Sequence, residues 1–254
     1  MPGAVLAALY AYPPNRHGYC GKKSFAKTLK WYLHGEHDAS TVRELEREIK
    51  DFRTHYAYLK LIARENDLEP FDLKVVKAFW IGNHLLDNVS ADALRRFLGR
   101  DLLAGKSKKR IQSLRENLPE AMVPHHSFNS LYVNFVTDKV ERKIENYDSC
   151  CVTFGRVTIP SVYRPLVSRF SITRAHPNHP GLVLKQKSER LHLEPEDVRL
   201  VHERLRPGDP VTVHWGQIVQ KIGAHDLHML FKYTRMNMEA INKSQQGPGS
   251  RASV

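Results

Sequence analysis

The spacing of apolar residues changes period partway along the chain, and that change limits the possible folds more than any single motif does. From Thr41 to Ala63, the residues Val42, Leu45, Ile49, Phe52, Tyr56, Leu59 and Ala63 step by threes and fours, which is the seam of an amphipathic helix. Thr41-Val42-Arg43-Glu44 reads as its capping box, and Asn66-Asp67 with Pro70 as its stop. Further helices are predicted over about 25–33, 72–86, 90–103 and 107–117, the third capped by Ser90. Pro119 and Pro124 end this helical stretch. Beyond them Leu131, Val133 and Phe135 alternate with Tyr132 and Asn134, as on a half-buried strand. Short β-type runs follow at about 152–159, 167–173 and 211–215, separated by Pro, Gly and Asn turns, and a last helix is predicted over about 226–241.

These periods predict an α+β protein. An N-terminal helical domain is expected over 1–120, a connecting strand and short helix over 121–147, a small OB-like β-barrel with a C-terminal helix over 148–242, and a disordered tail over 243–254. With 254 residues, 41% of them apolar, the chain can bury a core without disulfides. No window reaches the roughly 18 consecutive apolar residues of a membrane-spanning helix, since 75–86 is broken by Lys77, Asn83 and His84. The start, Met1-Pro2-Gly3-Ala4, lacks the positive region of a secretion signal, and Cys20, Cys150 and Cys151 are an odd set with no disulfide framework. The expected location is therefore the reducing cytoplasm. The net charge of +12 suggests a polyanionic partner. The excess is spread, however, with residues 1–147 and 148–254 each netting +6 and one dense run at Lys106-Ser107-Lys108-Lys109-Arg110.

Two segments of the second half carry a family likeness. The first is Cys150-Cys151-Val152-Thr153-Phe154-Gly155-Arg156-Val157. The second runs from Leu205 through Pro207-Gly208-Asp209-Pro210-Val211-Thr212-Val213-His214-Trp215-Gly216 to Ile218 and a terminal helix. In this order they resemble the HypC-type chaperones of nickel-iron hydrogenase maturation, over about the last 90 residues. The resemblance implies a small OB-like barrel and a role in delivering an iron centre with cyanide and carbon monoxide ligands. It implies a hydrogenase large-subunit precursor or a maturation scaffold protein as partner. It sets Cys150 in place of the family's functional cysteine and His214 in place of its histidine. The chain departs from the pattern in four ways. Cys150 is internal where the family's cysteine is the mature N-terminus, Phe154 replaces a proline, the stretch 160–206 is longer, and a helical domain is added in front. The whole chain is also similar to an uncharacterised bacterial protein type with an Ala-Tyr-Pro-Pro-Asn opening, here Ala11 to Asn15, and a Pro-His-His-Ser-Phe segment, here Pro124 to Phe128.

A thiolate and an imidazole suit a soft transition-metal fragment, and a two-ligand site leaves positions open for handing the metal on. The plainer reading makes Cys150 a buried core cysteine and His214 an inward or capping residue. His125 and His126 would point to opposite faces of a strand, so at most one of them joins Cys150 and His214; either is equally read as a capping histidine. His176-Pro177-Asn178-His179 reads as an exposed turn, and Cys20 as part of a tight Gly-containing loop or a reactive thiol at a helix start. Tyr10, Tyr12, Trp31, Tyr32, Phe79 and Trp80 read as core of the helical domain. The expectation is a non-enzymatic accessory protein of metallocentre assembly with metal candidates Cys150, His214, His126 and His125, iron as transient cargo and no membrane partner. The alternative is an OB-like nucleic-acid-binding protein.

Overall fold

A computed structural model of the chain describes residues 1–19, 21–22, 24–35, 38–102, 108–133, 143–176, 179–191 and 204–245. Its first helix, α1 (Gly3–Arg16), gives no amphipathic signal because it has no solvent face: from Ala4 to Tyr12 every side chain is 3% exposed or less. A helix apolar all round sits only inside other elements. Here α1 is wrapped by α2 (Ser24–Leu33), α3 (Ala39–Lys50) and α5 (Leu73–Trp80) and reaches the sheet at its far side.

The single long helix predicted from Thr41 to Ala63 is two, α3 and α4 (Arg53–Arg64), broken at Asp51-Phe52. Phe52 leaves helical geometry (ψ 68°) and buries its ring against Phe25, with centroids 4.9 Å apart, and against Gly21, where an added Cβ would lie 2.0 Å from the ring. Burying that ring outweighs continuing the hydrogen-bond ladder. The cap of α3 is Asp38, whose carboxylate accepts from the Thr41 amide at 2.6 Å, rather than Thr41. The helix predicted over 72–86 stops at Trp80, and Gly82 (φ +98°) lets Tyr233 press onto the backbone. Ser90 caps α6 (Ala91–Phe97), its hydroxyl accepting from the Ala93 amide at 3.1 Å. A π-helical turn over Leu98–Leu102 follows, and then α7 (Lys108–Glu116).

The strand predicted around 131–135 is not formed in its described part. A short helix, α8 (His126–Phe128), runs into a π-helical turn at Asn129–Val133, and residues 134–135 lie outside the described residues. Alternation over five residues is a weak signal. It yields here to the Phe128–Tyr132 ring pair at 5.5 Å and to the Ser130 hydroxyl, which donates back to the His126 carbonyl at 3.1 Å. The next helix, α9 (Ile144–Cys150), leads into the sheet.

The sheet is antiparallel with strand order β3-β2-β1-β4-β5, formed by β1 (Thr153–Ile159), β2 (Leu166–His176), β3 (His179–Arg190), β4 (Pro210–His214) and β5 (Gln217–Lys221). The OB-like barrel expected from the sequence is not closed: among the described residues β3 and β5 stand at opposite edges and do not pair. The terminal helix α10 (Ala224–Gln245) supplies part of what closure would. The Asn242 amide nitrogen donates to the Leu182 carbonyl and its oxygen accepts from the Leu182 amide, both at 2.8 Å, so β3 meets a side chain where a neighbouring strand would lie. One apolar cluster runs from Ala4 through Phe154 and Val219 to Ile241, so the helices and the sheet share a core. Among the described residues no helix is long and apolar enough to cross a membrane.

Candidate functional site

Strand pairing draws the site together. In the antiparallel β1–β4 register Thr153 faces Val213, so the last residue of β4, His214, meets the segment just before β1, where Cys150 ends α9. The Trp215 amide donates to the Ser149 carbonyl at 2.9 Å, and His214 Nε2 lies 3.1 Å from the Cys150 carbonyl oxygen. His126, at the start of α8, brings its ring centroid within 5.2 Å of His214 and 4.4 Å of Trp80. Together with His55 and Trp80 from the helical side, these residues wall a cavity of about 290 Å³.

The other nitrogen of His214 explains a proline pair that looks out of place in a helix. Pro14 has no N–H, so the Tyr10 carbonyl four residues back lacks its helical donor. His214 Nδ1 lies 2.8 Å from it, placed to donate in the Nδ1–H tautomer. Both ring nitrogens thus lie against carbonyl oxygens. A neutral ring has one proton for the two contacts, and in this arrangement it offers no lone pair to a ligand. Burial holds its pKa down to about 4, against the upward pull of the Tyr10 and Cys150 carbonyls.

His126 differs. Its Nδ1 is 3.4 Å from the Ser130 hydroxyl, and no described contact occupies Nε2. Burial, then the neighbouring His214, His125 and His55, hold it well below the usual imidazole range, so it stays neutral with a lone pair to donate. Cys150, 5% exposed, donates from Sγ to the same Ser130 oxygen at 3.6 Å. Ser130 therefore touches both groups. His55 Nε2 accepts from the Trp80 indole N–H at 3.1 Å, leaving a buried Nδ1–H with no partner, and burial lowers its pKa to about 3. Cys151 packs in a cluster with Ile172, Leu182 and Met238 and also lies within reach of the Ser130 hydroxyl, and burial pushes its thiol well up.

A buried ion pair fixes the helix that carries Cys150. Arg169 of β2 holds both carboxylate oxygens of Asp148, at 2.8 and 3.3 Å, and the Asp148 carboxylate also accepts from the Ile172 amide at 2.8 Å. At the rim of the cavity Trp215 and Gly216 have φ of 50° and 72°, the geometry of a type I′ hairpin turn. A non-glycine side chain pays for the left-handed region with about 1–2 kcal/mol, and the Trp215 ring meets Tyr19 with centroids 4.5 Å apart. Asp51 and Arg53, both exposed, complete the rim, with Lys22 paired to Asp51 at 2.7 Å.

Of the four residues singled out from the sequence, Cys150, His126 and His214 line this cavity. His125 does not. It caps α8, its Nδ1 accepting from the Ser127 amide at 3.3 Å, and its ring lies against Tyr233. Among the described residues no group of three or more His, Cys, Asp or Glu is arranged to hold a metal ion, so the protein offers such a ligand at most two donors here, Cys150 and His126. His55 and Trp80 were missed as site residues. The signal was present for His55, which falls three residues after Phe52 and four before Leu59 on the apolar seam. Cys20 lies outside the described residues, as do Pro177 and Asn178 of the histidine-containing turn and Lys106 and Ser107 of the basic run.

No curated protein and no solved structure matches the chain. A family model does match, over residues 1–247, and the chain belongs to the group it describes, the Family of unknown function (DUF6390).

Proposed function

We propose that the protein is a non-enzymatic accessory factor of metallocentre assembly, in nickel-iron hydrogenase maturation or a related cytoplasmic pathway. Its cargo is a soft-metal fragment held by Cys150 and His126. The observation that carries the reading is a buried thiol and a neutral imidazole lining one cavity, with Phe52, Phe79 and Trp80 as its aromatic wall and His55, His214 and Asn129 as its other buried polar groups. The carboxylate in its lining, Asp51, sits at the rim with Lys22. Soft donors without carboxylates favour a low-valent metal over calcium or magnesium. Two donors leave the remaining coordination to the cargo's own ligands and to the recipient, which suits transfer rather than storage. The HypC-like segments point to iron with cyanide and carbon monoxide as that cargo. His214 acts as a positioning residue in its Nε2–H tautomer, which donates to the carbonyl of the peptide that bears the thiol.

The test is anaerobic purification of the full chain from a hydrogenase-producing host, followed by iron analysis and infrared spectroscopy. Cyanide and carbonyl bands that vanish in Cys150→Ala, with the variant still folded, support the reading. A wild-type chain with neither iron nor those bands overturns it.

A nucleic-acid role is the second reading, carried by a groove between α6 and α7 lined by Lys108, Arg115 and Arg95, the last paired with Asp92, with Glu116 among them. Titration with a labelled single-stranded oligonucleotide at several salt concentrations decides it. Micromolar binding with a steep salt slope favours this reading, and no binding at low salt removes it.

A further inference from the structure

Three of the exposed large apolar side chains among the described residues fall within five positions of one another: Ile159 at 49%, Val162 at 59% and Tyr163 at 51% exposure. They form the tip of the β1–β2 hairpin, far along the strands from the Cys150 cavity. Scattered exposed apolar residues are ordinary, but a concentrated, projecting set is not.

Part of the backbone at the base of the tip is already satisfied. Pro160 and Pro165 have no N–H to desolvate, and the Arg164 amide is bonded to the Ser161 hydroxyl at 3.1 Å. The Arg164 carbonyl accepts from Arg190 at 3.2 Å, and the Pro165 carbonyl from the Leu191 amide at 3.0 Å. Backbone groups already bonded within the protein lower the cost of entering an apolar phase.

The surroundings are cationic. Arg156, Arg164, Arg190 and Arg206 are all exposed at this end of the sheet, and among the described residues none of their guanidinium groups forms an ion pair, although the Arg206 amide donates to the Asp209 carboxylate at 2.8 Å. No Asp or Glu occurs from Ser149 to Ser188, while Glu194, Glu196, Asp197 and Glu203 lie in the stretch 192–203, outside the described residues. The two nearby described carboxylates are neutralised, Glu189 by Arg169 at 2.7 Å and Lys187 at 3.2 Å, and Asp209 by Lys221 at 3.2 Å.

We propose that this hairpin tip is a docking surface for an anionic phospholipid bilayer, with Ile159, Val162 and Tyr163 entering the headgroup boundary and the arginines above them meeting lipid phosphates. An apolar hairpin tip beside exposed arginines favours an anionic bilayer over a protein groove, because a deformable interface needs no complementary cleft. Tyrosine is at home at that boundary, and basic residues near it add attraction to anionic lipid. This runs against the expectation of no membrane partner, which rested on the lack of a spanning stretch. It is independent of the cavity and its cargo.

The experiment is co-sedimentation of the full chain with vesicles of phosphatidylcholine alone and of phosphatidylcholine with phosphatidylglycerol, at low and high salt. The expected result is binding to the anionic vesicles that weakens with salt. Ile159→Ser/Val162→Ser/Tyr163→Ser is expected to abolish it while leaving the circular dichroism spectrum unchanged. Arg164→Gln and Arg206→Gln are each expected to weaken it about fivefold. Wild-type protein that stays in the supernatant with anionic vesicles at low salt overturns the proposal and leaves an acidic protein surface as the occupant. So does a triple-serine variant that binds like wild type, or equal binding to phosphatidylcholine alone.

Discussion

Gly155 shows what a single position contributes. It stands in the Gly-Arg-Val segment that carried the family likeness, and the structure gives it a physical reason: an added Cβ would sit 2.6 Å from the Ser168 carbonyl oxygen and 2.7 Å from Arg169 Cα. Both neighbours are backbone and cannot swing aside. Gly155→Ala is therefore expected to cost about 2–3 kcal/mol of stability, read as a lower urea midpoint. Cys150 and His214 could be picked out from the sequence because short motifs surround them. What His214 does there could not be, since its partner is a carbonyl left open by Pro14 some two hundred positions away. The proline pair itself, part of the Ala-Tyr-Pro-Pro-Asn opening, lies inside a helix. His55 has no motif around it, and only the neighbouring elements show that it walls a cavity.

Among the elements, α9 depends most on long-range chemistry. Its seven residues carry little helix-forming signal, and the Asp148–Arg169 pair fastens them to β2. Asp148→Ala leaves Arg169 buried with Glu189 alone, and is expected to cost about 3 kcal/mol or more and to speed alkylation of Cys150 two residues away. Asp148→Ala combined with Arg169→Met removes the stranded charge as well, and its urea midpoint is expected to recover most of the loss. An additive double variant would show that the pair is not what holds α9. Strongly periodic elements were readable from the residues: α2, α6 with its Ser90 cap, β1, β2, β4 and α10 all fall where the pattern put them, give or take their ends. Those that failed did so for stated reasons. The long helix broke to bury Phe52, α1 had no polar face to mark it, and the barrel stayed open where Asn242 caps the β3 edge.

At the scale of the molecule, the buried histidines tie stability to pH. Burial holds His55 and His125 down to about 3 and His214 down to about 4, with His126 also well below its ordinary value. The unfolded chain takes up protons near pH 6.5 while the folded one does not. The stabilising contribution is thus complete above about pH 6.5 and is lost as pH falls toward 4, at roughly 1.4 kcal/mol per pH unit for each ring. Urea midpoints are expected to be level between about pH 7 and 8 and to drop steeply between about 6 and 4. A flat profile would mean that these rings are not held neutral inside the fold.

The solvent-shielded first helix also settles how the interior can be reached. Bound on one side by other helices and on the other, through Tyr10, by Thr212 and His214 of β4, it cannot peel away without tearing both halves open. Traffic to the thiol is left to the outer doorway, where two aromatic plates, Tyr19 and Trp215, lean on each other and the second is pinned by its hairpin. A turn of the Tyr19 phenol ring, a small and fast movement, is expected to widen that opening without any parting of domains.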